Sequence, residues 1–301
     1  DTRLTHLQDG SPCRAQTAAG EVVADRMILA THAVPNRLQY HTRVHAYRTY
    51  AVAGTCSSMP PAGMYFDSED PYHYIRTQDT SQGDLLIVGG YDHRTGEQED
   101  TLAQRSKLRD YAAQYFKMTQ IAYEWSGQIL EPADGIPFIG TNGGDENTFF
   151  ATGYAGNGIT LGTVAGKLLS ELAMGSDSPY AALFSSHRKD VRAQAGAVFK
   201  ENLVVPKSLI LDRLAAWATR DVEGLRPGEG KVCGHGAQAA AVFQQSDGKR
   251  HVLSAVCPHM GCIVHWNNGE KSWDCPCHGS RFSAEGKLLN GPALEDLKRV
   301  D

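Results

Sequence analysis

The sequence predicts an α+β protein in three parts: a mixed sheet plus helices over residues 1–175, a helical connector over 176–224 and a small all-β domain over 225–301. Three observations carry this division. Short strand-like runs broken by glycine-bearing turns recur along the first part. An apolar helical repeat, Leu161, Val164, Ala165, Leu168, Leu169 and Leu172, follows a glycine-rich turn. The turn-rich tail holds four of the seven cysteines in two clusters, Cys257-Pro258-His259-Met260-Gly261-Cys262 and Cys275-Pro276-Cys277-His278-Gly279-Ser280.

At 301 residues, 41% hydrophobic and 21% charged, the chain has globular composition and enough length for two or three cores. No apolar run approaches the roughly 20 residues of a membrane helix, so no transmembrane segment is expected. A net charge of −5 and the lack of a basic cluster argue against a nucleic-acid partner. Cys13, Cys56 and Cys233 are scattered and read as small buried hydrophobes.

Taken in order, the chain starts without Met or a signal-peptide pattern, and Asp1 to Leu7 reads like the middle of a strand. Cys13 to Thr17, Glu21 to Ala24 and Met27 to Ala30 form a β-meander returning to a central sheet. Within 36–125, Val44 to Gly54, Tyr72 to Thr77, Leu85 to Gly90 and Ile121 to Ser126 read as strands, and Thr101 to Lys117 as a helix capped by Asp100. Arg48, Tyr50, Tyr72, Tyr74, Arg76 and His93 are its candidates for substrate contact. Tyr72, Tyr74 and Arg76 alternate, so they share one strand face, which suits either a site wall or a solvated surface. Phe149 to Thr152 is a short apolar strand; Gly153, Gly156 and Gly158 then permit a tight turn with close backbone approach to a flat ligand, or serve packing alone. The helix beyond ends near Met174, and its N-terminus offers free amides and a positive dipole end to that ligand. In the connector, Ser186 to Phe199 and Pro206 to Thr219 suit helices, with Ile210, Leu214 and Trp217 as a stripe that packs onto a neighbour. Arg226 to Gly230 marks the last boundary, followed by strands at Ala239 to Gln244, His251 to Ala255 and Lys271 to Asp274.

A [2Fe–2S] unit with two thiolates on one iron and two imidazoles on the other requires one sulfur and one nitrogen from each loop. Cys257 with His259 and Cys275 with His278 fit that demand. Tetrahedral zinc is the competing use; it needs four of the six side chains and leaves two thiols without a role. The clusters resemble those of the Rieske proteins of cytochrome bc-type complexes, as do Gly279-Ser280 and the later Gly291-Pro292-Ala293. That resemblance implies a disulfide between Cys262 and Cys277, a proline loop covering the cluster, and Ser280 as a hydrogen-bond donor to sulfur. The position that carries a second donor, tyrosine, in high-potential relatives is Phe282 here. A Rieske oxygenase would need a further iron on two His and a carboxylate; His41, His45 and His93 offer no convincing triad.

Asp25 to Thr31, then Asp134-Gly135-Ile136-Pro137-Phe138-Ile139-Gly140, Thr148 to Gly158 and the helix after it resemble, in order and spacing, segments of the D-amino-acid oxidase and glycine oxidase family. The resemblance implies a partial FAD-linked oxidoreductase fold, with Asp134, Gly135, Gly153, Tyr154, Gly156, Asn157, Gly158 and Ile159 at the flavin. It also implies a basic clamp on a substrate carboxylate, for which Arg48, Tyr74 and Arg76 are the catalytic candidates. No Gly-x-Gly-x-x-Gly follows an early strand, so the chain reads as the C-terminal portion of a longer flavoprotein that needs its N-terminal portion to hold FAD. The expected function is oxidation of an amine or amino-acid-like small molecule at FAD, with electrons leaving singly through the [2Fe–2S] cluster to an unidentified acceptor, in a cytoplasmic location. The alternative is an electron-transfer Rieske protein without substrate oxidation of its own. With Ser280 present and Phe282 in place of tyrosine, redox titration is expected to give a potential above that of a plant-type ferredoxin and below the upper end, about +300 mV, of the Rieske range.

Overall fold

A computed structural model of the protein describes residues 2–35, 38–81, 83–98, 100–141, 143–188, 203–219, 222, 224–235 and 238–300. Its first three strands, β1 (Leu4–Gln8), β2 (Cys13–Thr17) and β3 (Gly20–Ala24), make an antiparallel meander that takes in Leu4–Gln8 in place of the expected Met27 to Ala30. β4 (Met27–Leu29) leaves it for a different sheet.

A single helical turn, α1 (Leu38–His41), leads into β5 (Val44–Cys56). β5 belongs to a five-stranded antiparallel sheet with β6 (Met64–Phe66), β7 (Tyr74–Gln78), β8 (Leu85–Arg94) and β9 (Met118–Pro132), in the order β6-β7-β8-β5-β9. The Ile121 to Ser126 run is the middle of β9, which stays paired to β5 from Val44 opposite Pro132 to Cys56 opposite Met118. α2 (Thr101–Phe116) covers one face. The Asp100 carboxylate accepts the Ala103 N–H at 3.1 Å as its cap, and Leu108 and Ala112 bury against Tyr50, Val52, Leu86 and Val88.

β10 (Phe138–Thr141) pairs antiparallel with β11 (Thr148–Thr152), which runs parallel to β4. The helical repeat forms α3 (Gly158–Ala173), and Ala165, Leu168 and Leu169 bury against Ile139, Phe149 and Ala151. After the short α4 (Ala181–Phe184), residues 185–188 form a turn, and the rest of the helix expected over 186–199 lies outside the described residues.

The second connector helix, α5, begins as Val204–Pro206, passes through a π-helical turn at Lys207–Leu211 and ends as Asp212–Ala218. The expected packing stripe is corrected here: Ile210, Leu214 and Trp217 are exposed, while Val204, Ser208 and Ala216 are the buried residues. The three do share one face, as their spacing requires, but it is the outer one: the helix packs inward through the small side chains of Ser208 and Ala216, close enough that a Cβ on Gly234 would lie 3.1 Å from the Trp217 Cα. That inner face grips the first cysteine loop: Ser208 Oγ accepts the Ile263 N–H at 3.0 Å, and Arg213 donates to the Gly261 carbonyl at 2.7 Å.

The C-terminal domain has two small antiparallel sheets. One comprises β12 (Gly230–His235), β13 (Gln238–Gln244) and β14 (Arg250–Ser254); the other β15 (His265–Asn267), β16 (Ser272–Asp274), β17 (Arg281–Ser283) and β18 (Leu288–Asn290). Leu253, Ile263, Trp273, Phe282 and Leu297 fill the core between them.

This domain is docked on the five-stranded sheet. Glu270 takes Arg48 from β5 at 2.7 Å, Arg105 from α2 at 3.3 Å and Arg281 from its own domain, and Arg281 also pairs with Asp274 at 2.9 Å. Backbones meet closely beside this network. A Cβ on Gly96 would lie 2.7 Å from the Pro276 nitrogen, and one on Gly279 would lie 2.2 Å from the Ala46 Cβ, both at positive φ. Only glycine fits either place. Glu270→Gln would leave buried guanidinium groups uncompensated, with an expected loss of roughly 3–5 kcal/mol in unfolding free energy, measured by denaturant titration.

Candidate redox site

The two cysteine loops are built alike. The Cys257 N–H bonds the Cys262 carbonyl at 2.8 Å, and the Cys275 N–H bonds the Ser280 carbonyl at 2.8 Å. Each turn is thereby closed on its first cysteine. Cys262 and Cys277 form a disulfide with a Cα separation of 6.5 Å. The Cys257 and Cys275 thiols hydrogen-bond each other, so Cys257 is favoured as thiolate and Cys275 retains the proton. The His259 and His278 rings stand edge to face with centroids 5.0 Å apart. Ser280 Oγ accepts the Ala293 N–H at 3.0 Å and also bonds Cys257, tying the Pro292 loop to the sulfur side.

Burial holds both imidazoles neutral. His278 is pushed down to about 3 by desolvation and then by the neighbouring His259, His41, His45 and Arg94; His259 is pushed down to about 4 by desolvation and then by His41. Both ring nitrogens of His278 are buried without a hydrogen-bond partner among the described residues. A neutral imidazole with an idle lone pair beside two paired thiols costs desolvation for no internal return, and it is what a metal centre requires. The residues fit a [2Fe–2S] group.

One contact escaped sequence reasoning. His41, at the end of α1, places Nδ1 2.9 Å from His259 Nε2 and Nε2 2.9 Å from the Val34 carbonyl. The two histidines are 218 residues apart, and no local pattern links them.

The glycine turn lies on the other side of the sheet. Gly153 and Gly156 take φ of 80° and 79°, and a Cβ on Gly153 would meet the Pro132 ring at 2.7 Å. Asn157 precedes α3 without a side-chain cap, so the amides of Gly158, Ile159 and Thr160 stay available on exposed residues; Ile159 is 91% exposed. Tyr154 is half-buried against α3. An open, uncapped helix start beside a glycine turn fits a flavin edge. Asp134 is occupied differently: Arg188 holds its carboxylate at 2.7 and 2.8 Å and also bonds the Ile136 and Pro137 carbonyls, fixing the loop that contains Gly135.

A cavity of about 230 Å³ joins this turn to the five-stranded sheet, lined by Thr49, Tyr65, Phe66, Tyr72, Tyr74, Arg76 and Asp92 with Gly156 and Asn157. The structure thus brings Tyr74 and Arg76 to the flavin turn, with the Tyr74 hydroxyl 3.1 Å from Thr49 Oγ1. It does not bring Arg48 there. Arg48, 3% exposed, points to the opposite face and is bound to Ser126 and Glu270; Tyr50 and His93 bond each other at 2.9 Å on that face too. Asp92, beyond the strand expected over Leu85 to Gly90, lines the cavity with one carboxylate oxygen buried and unpaired among the described residues, and desolvation raises its pKa against the bond from Thr49. Its signal was the continuation of β8 past Gly90 to Arg94.

A flavin-ready turn and a sulfur–imidazole centre on two faces of one sheet define an oxidoreductase. The chain belongs to the FAD dependent oxidoreductase family, whose model matches residues 1–172, and carries a Rieske [2Fe-2S] domain matched over residues 215–301. Its cofactors are accordingly FAD and a [2Fe–2S] cluster. It is 34% identical over 263 residues to the Rieske 2Fe-2S iron-sulfur protein YhfW of Bacillus subtilis (strain 168), covering 87% of this chain and 52% of that one. The chain thus spans about half the length of that relative. The cytochrome b6-f complex iron-sulfur subunit of Synechococcus sp. (strain JA-3-3Ab) is 54% identical over 48 residues, covering 16% of this chain and 28% of that one. Among solved structures, glycine oxidase from Geobacillus kaustophilus shares the fold, with a TM-score of 0.50 and 20% identity over 62% of this chain and 52% of that one. No helix among the described residues is long and apolar enough to cross a membrane.

Burial alone would raise the pKa of Asp134, yet the Arg188 bonds leave it below the ordinary carboxylate value. The pair's stabilisation is therefore complete above about pH 4 and is lost as pH falls through the lowered folded value. Unfolding midpoints of the protein and of Asp134→Asn are expected to differ at neutral pH and to converge in acid.

Proposed function

We propose that the enzyme oxidises an amine or amino-acid-like substrate at FAD and passes the electrons singly through the [2Fe–2S] cluster to an external one-electron acceptor. The observation that carries this reading is the cavity at the glycine turn on one face of the sheet whose other face seats the cysteine loops. When bound, flavin takes two electrons from substrate and the cluster carries one at a time. The chain's residues supply the rest. Cys257, His259, Cys275 and His278 are the proposed metal ligands, with the Cys262–Cys277 disulfide bracing both loops. Gly153, Tyr154, Gly156, Asn157, Gly158 and Ile159 are proposed to contact the flavin, while Asp134 and Gly135 act through the loop that Arg188 fixes.

In the cavity, Tyr65, Phe66, Tyr72 and Tyr74 offer ring faces and Asp92 a carboxylate to an amine, and Arg76 is placed for an opposite charge at the rim. The Thr49 hydroxyl holds Asp92 and meets Tyr74, so these three side chains orient one another. Desolvated at the wall, Asp92 gains most when a cation pairs with it.

The reading is tested on the full-length protein. Iron analysis is expected to give two irons per chain, and stopped-flow mixing with an amine substrate is expected to bleach the cluster after the flavin. Cluster reduction without flavin reduction would remove the scheme. Asp92→Asn should lower kcat/KM for amines about 10-fold or more, the scale of one charged contact, with iron content unchanged.

A further inference from the structure

We propose that His41 is a positioning residue of the metal centre: it accepts the Nε2–H of His259, holds that ring with Nδ1 turned to iron, and ties the ligand to the flavin side of the chain. The inference rests on the Rieske reading of the cysteine loops and extends it to a residue outside them.

The tautomers follow from one carbonyl. The Val34 carbonyl can only accept, so the 2.9 Å contact from His41 Nε2 places the His41 proton on that nitrogen. His41 is buried at 7% exposure, so its ring is neutral and Nδ1 is a lone pair. The nitrogen 2.9 Å away, His259 Nε2, must then be the donor. A neutral His259 with its proton on Nε2 has only Nδ1 left for a metal.

His41 also connects two places that the fold holds apart. The Thr152 hydroxyl, at the start of the glycine turn, donates to the His32 carbonyl at 2.6 Å. Two residues on, Val34 accepts from His41, which accepts from His259. Turn and ligand are joined by an unbroken line of backbone and hydrogen bonds. An imidazole ligand that donates to a good acceptor becomes a stronger electron donor to its metal, so His41 favours oxidised iron and lowers the cluster's potential.

The experiment compares cluster-loaded full-length protein with His41→Leu, which removes the acceptor, and His41→Asn, whose side-chain oxygen can sit where Nδ1 was. Reduction potential and the nitrogen couplings of the cluster's electron paramagnetic resonance are read for each. The Leu variant is expected to shift positive with altered couplings, and the Asn variant to stay with the parent. If Leu matches the parent, or Asn shifts with it, the role of His41 is overturned. Should the Leu variant lose its iron, retention in Asn supports the proposal and loss in both overturns it. A parent protein with fewer than two irons per chain refutes the metal-centre reading instead, before any variant is compared.

Discussion

Glu270 is shared by three guanidinium groups, and the relation between the two halves of the redox site depends on that sharing. A buried carboxylate costs several kcal/mol to desolvate unless it is paired. Here the pairing also carries geometry, because Arg48 comes from β5, Arg105 from α2 and Arg281 from β17. Arg281 directly follows Ser280, and its other partner, Asp274, directly precedes Cys275. The two ends of the second cysteine loop are thus clamped to each other and, through Glu270, to the oxidase sheet. Gln128 adds a third tie by donating to the Gly279 carbonyl at 2.7 Å.

Strand alternation explains why one sheet can serve two chemistries. Along β5, Arg48 and Tyr50 face α2 and the metal domain, while Thr49 between them faces the aromatic cavity. A bulge where β5 pairs with β8, between Arg48 and Tyr50, sends His93 to the metal-domain side and Asp92 to the cavity. The partition is set within a few residues of strand.

Those same residues mark where sequence reading succeeds and fails. The cysteine loops are legible because ligand chemistry demands sulfur and nitrogen within one tight turn, and the glycine turn because its backbone needs φ values that other residues avoid. The α2 cap and the α3 repeat are legible for equally local reasons. Arg48 misleads because residue type alone does not show the face: strand alternation turns it away from the cavity, toward Glu270, 222 residues away. The stripe on α5 misleads because the helix packs through its small residues and leaves the large apolar ones outward. His41 and Asp92 are silent: one is picked out by its contact with a residue of another domain, the other by burial that only the assembled sheet creates.

The proposed relay needs two sides, and the docking gives the cysteine loops two. The second loop is buried: Cys275, Cys277 and His278 are sealed against β5 and the Gly96 turn. In the first loop Cys257 and Cys262 are buried and His259 is half-buried against His41, but Pro258 and Met260 are exposed. A centre buried on both loops would have no outlet. One exposed on both would exchange electrons with solvent species as readily as with a flavin. The asymmetry follows from which loop Glu270 and Arg281 anchor, so the ion network that fixes the domains also decides which face of the centre is inner and which is outer.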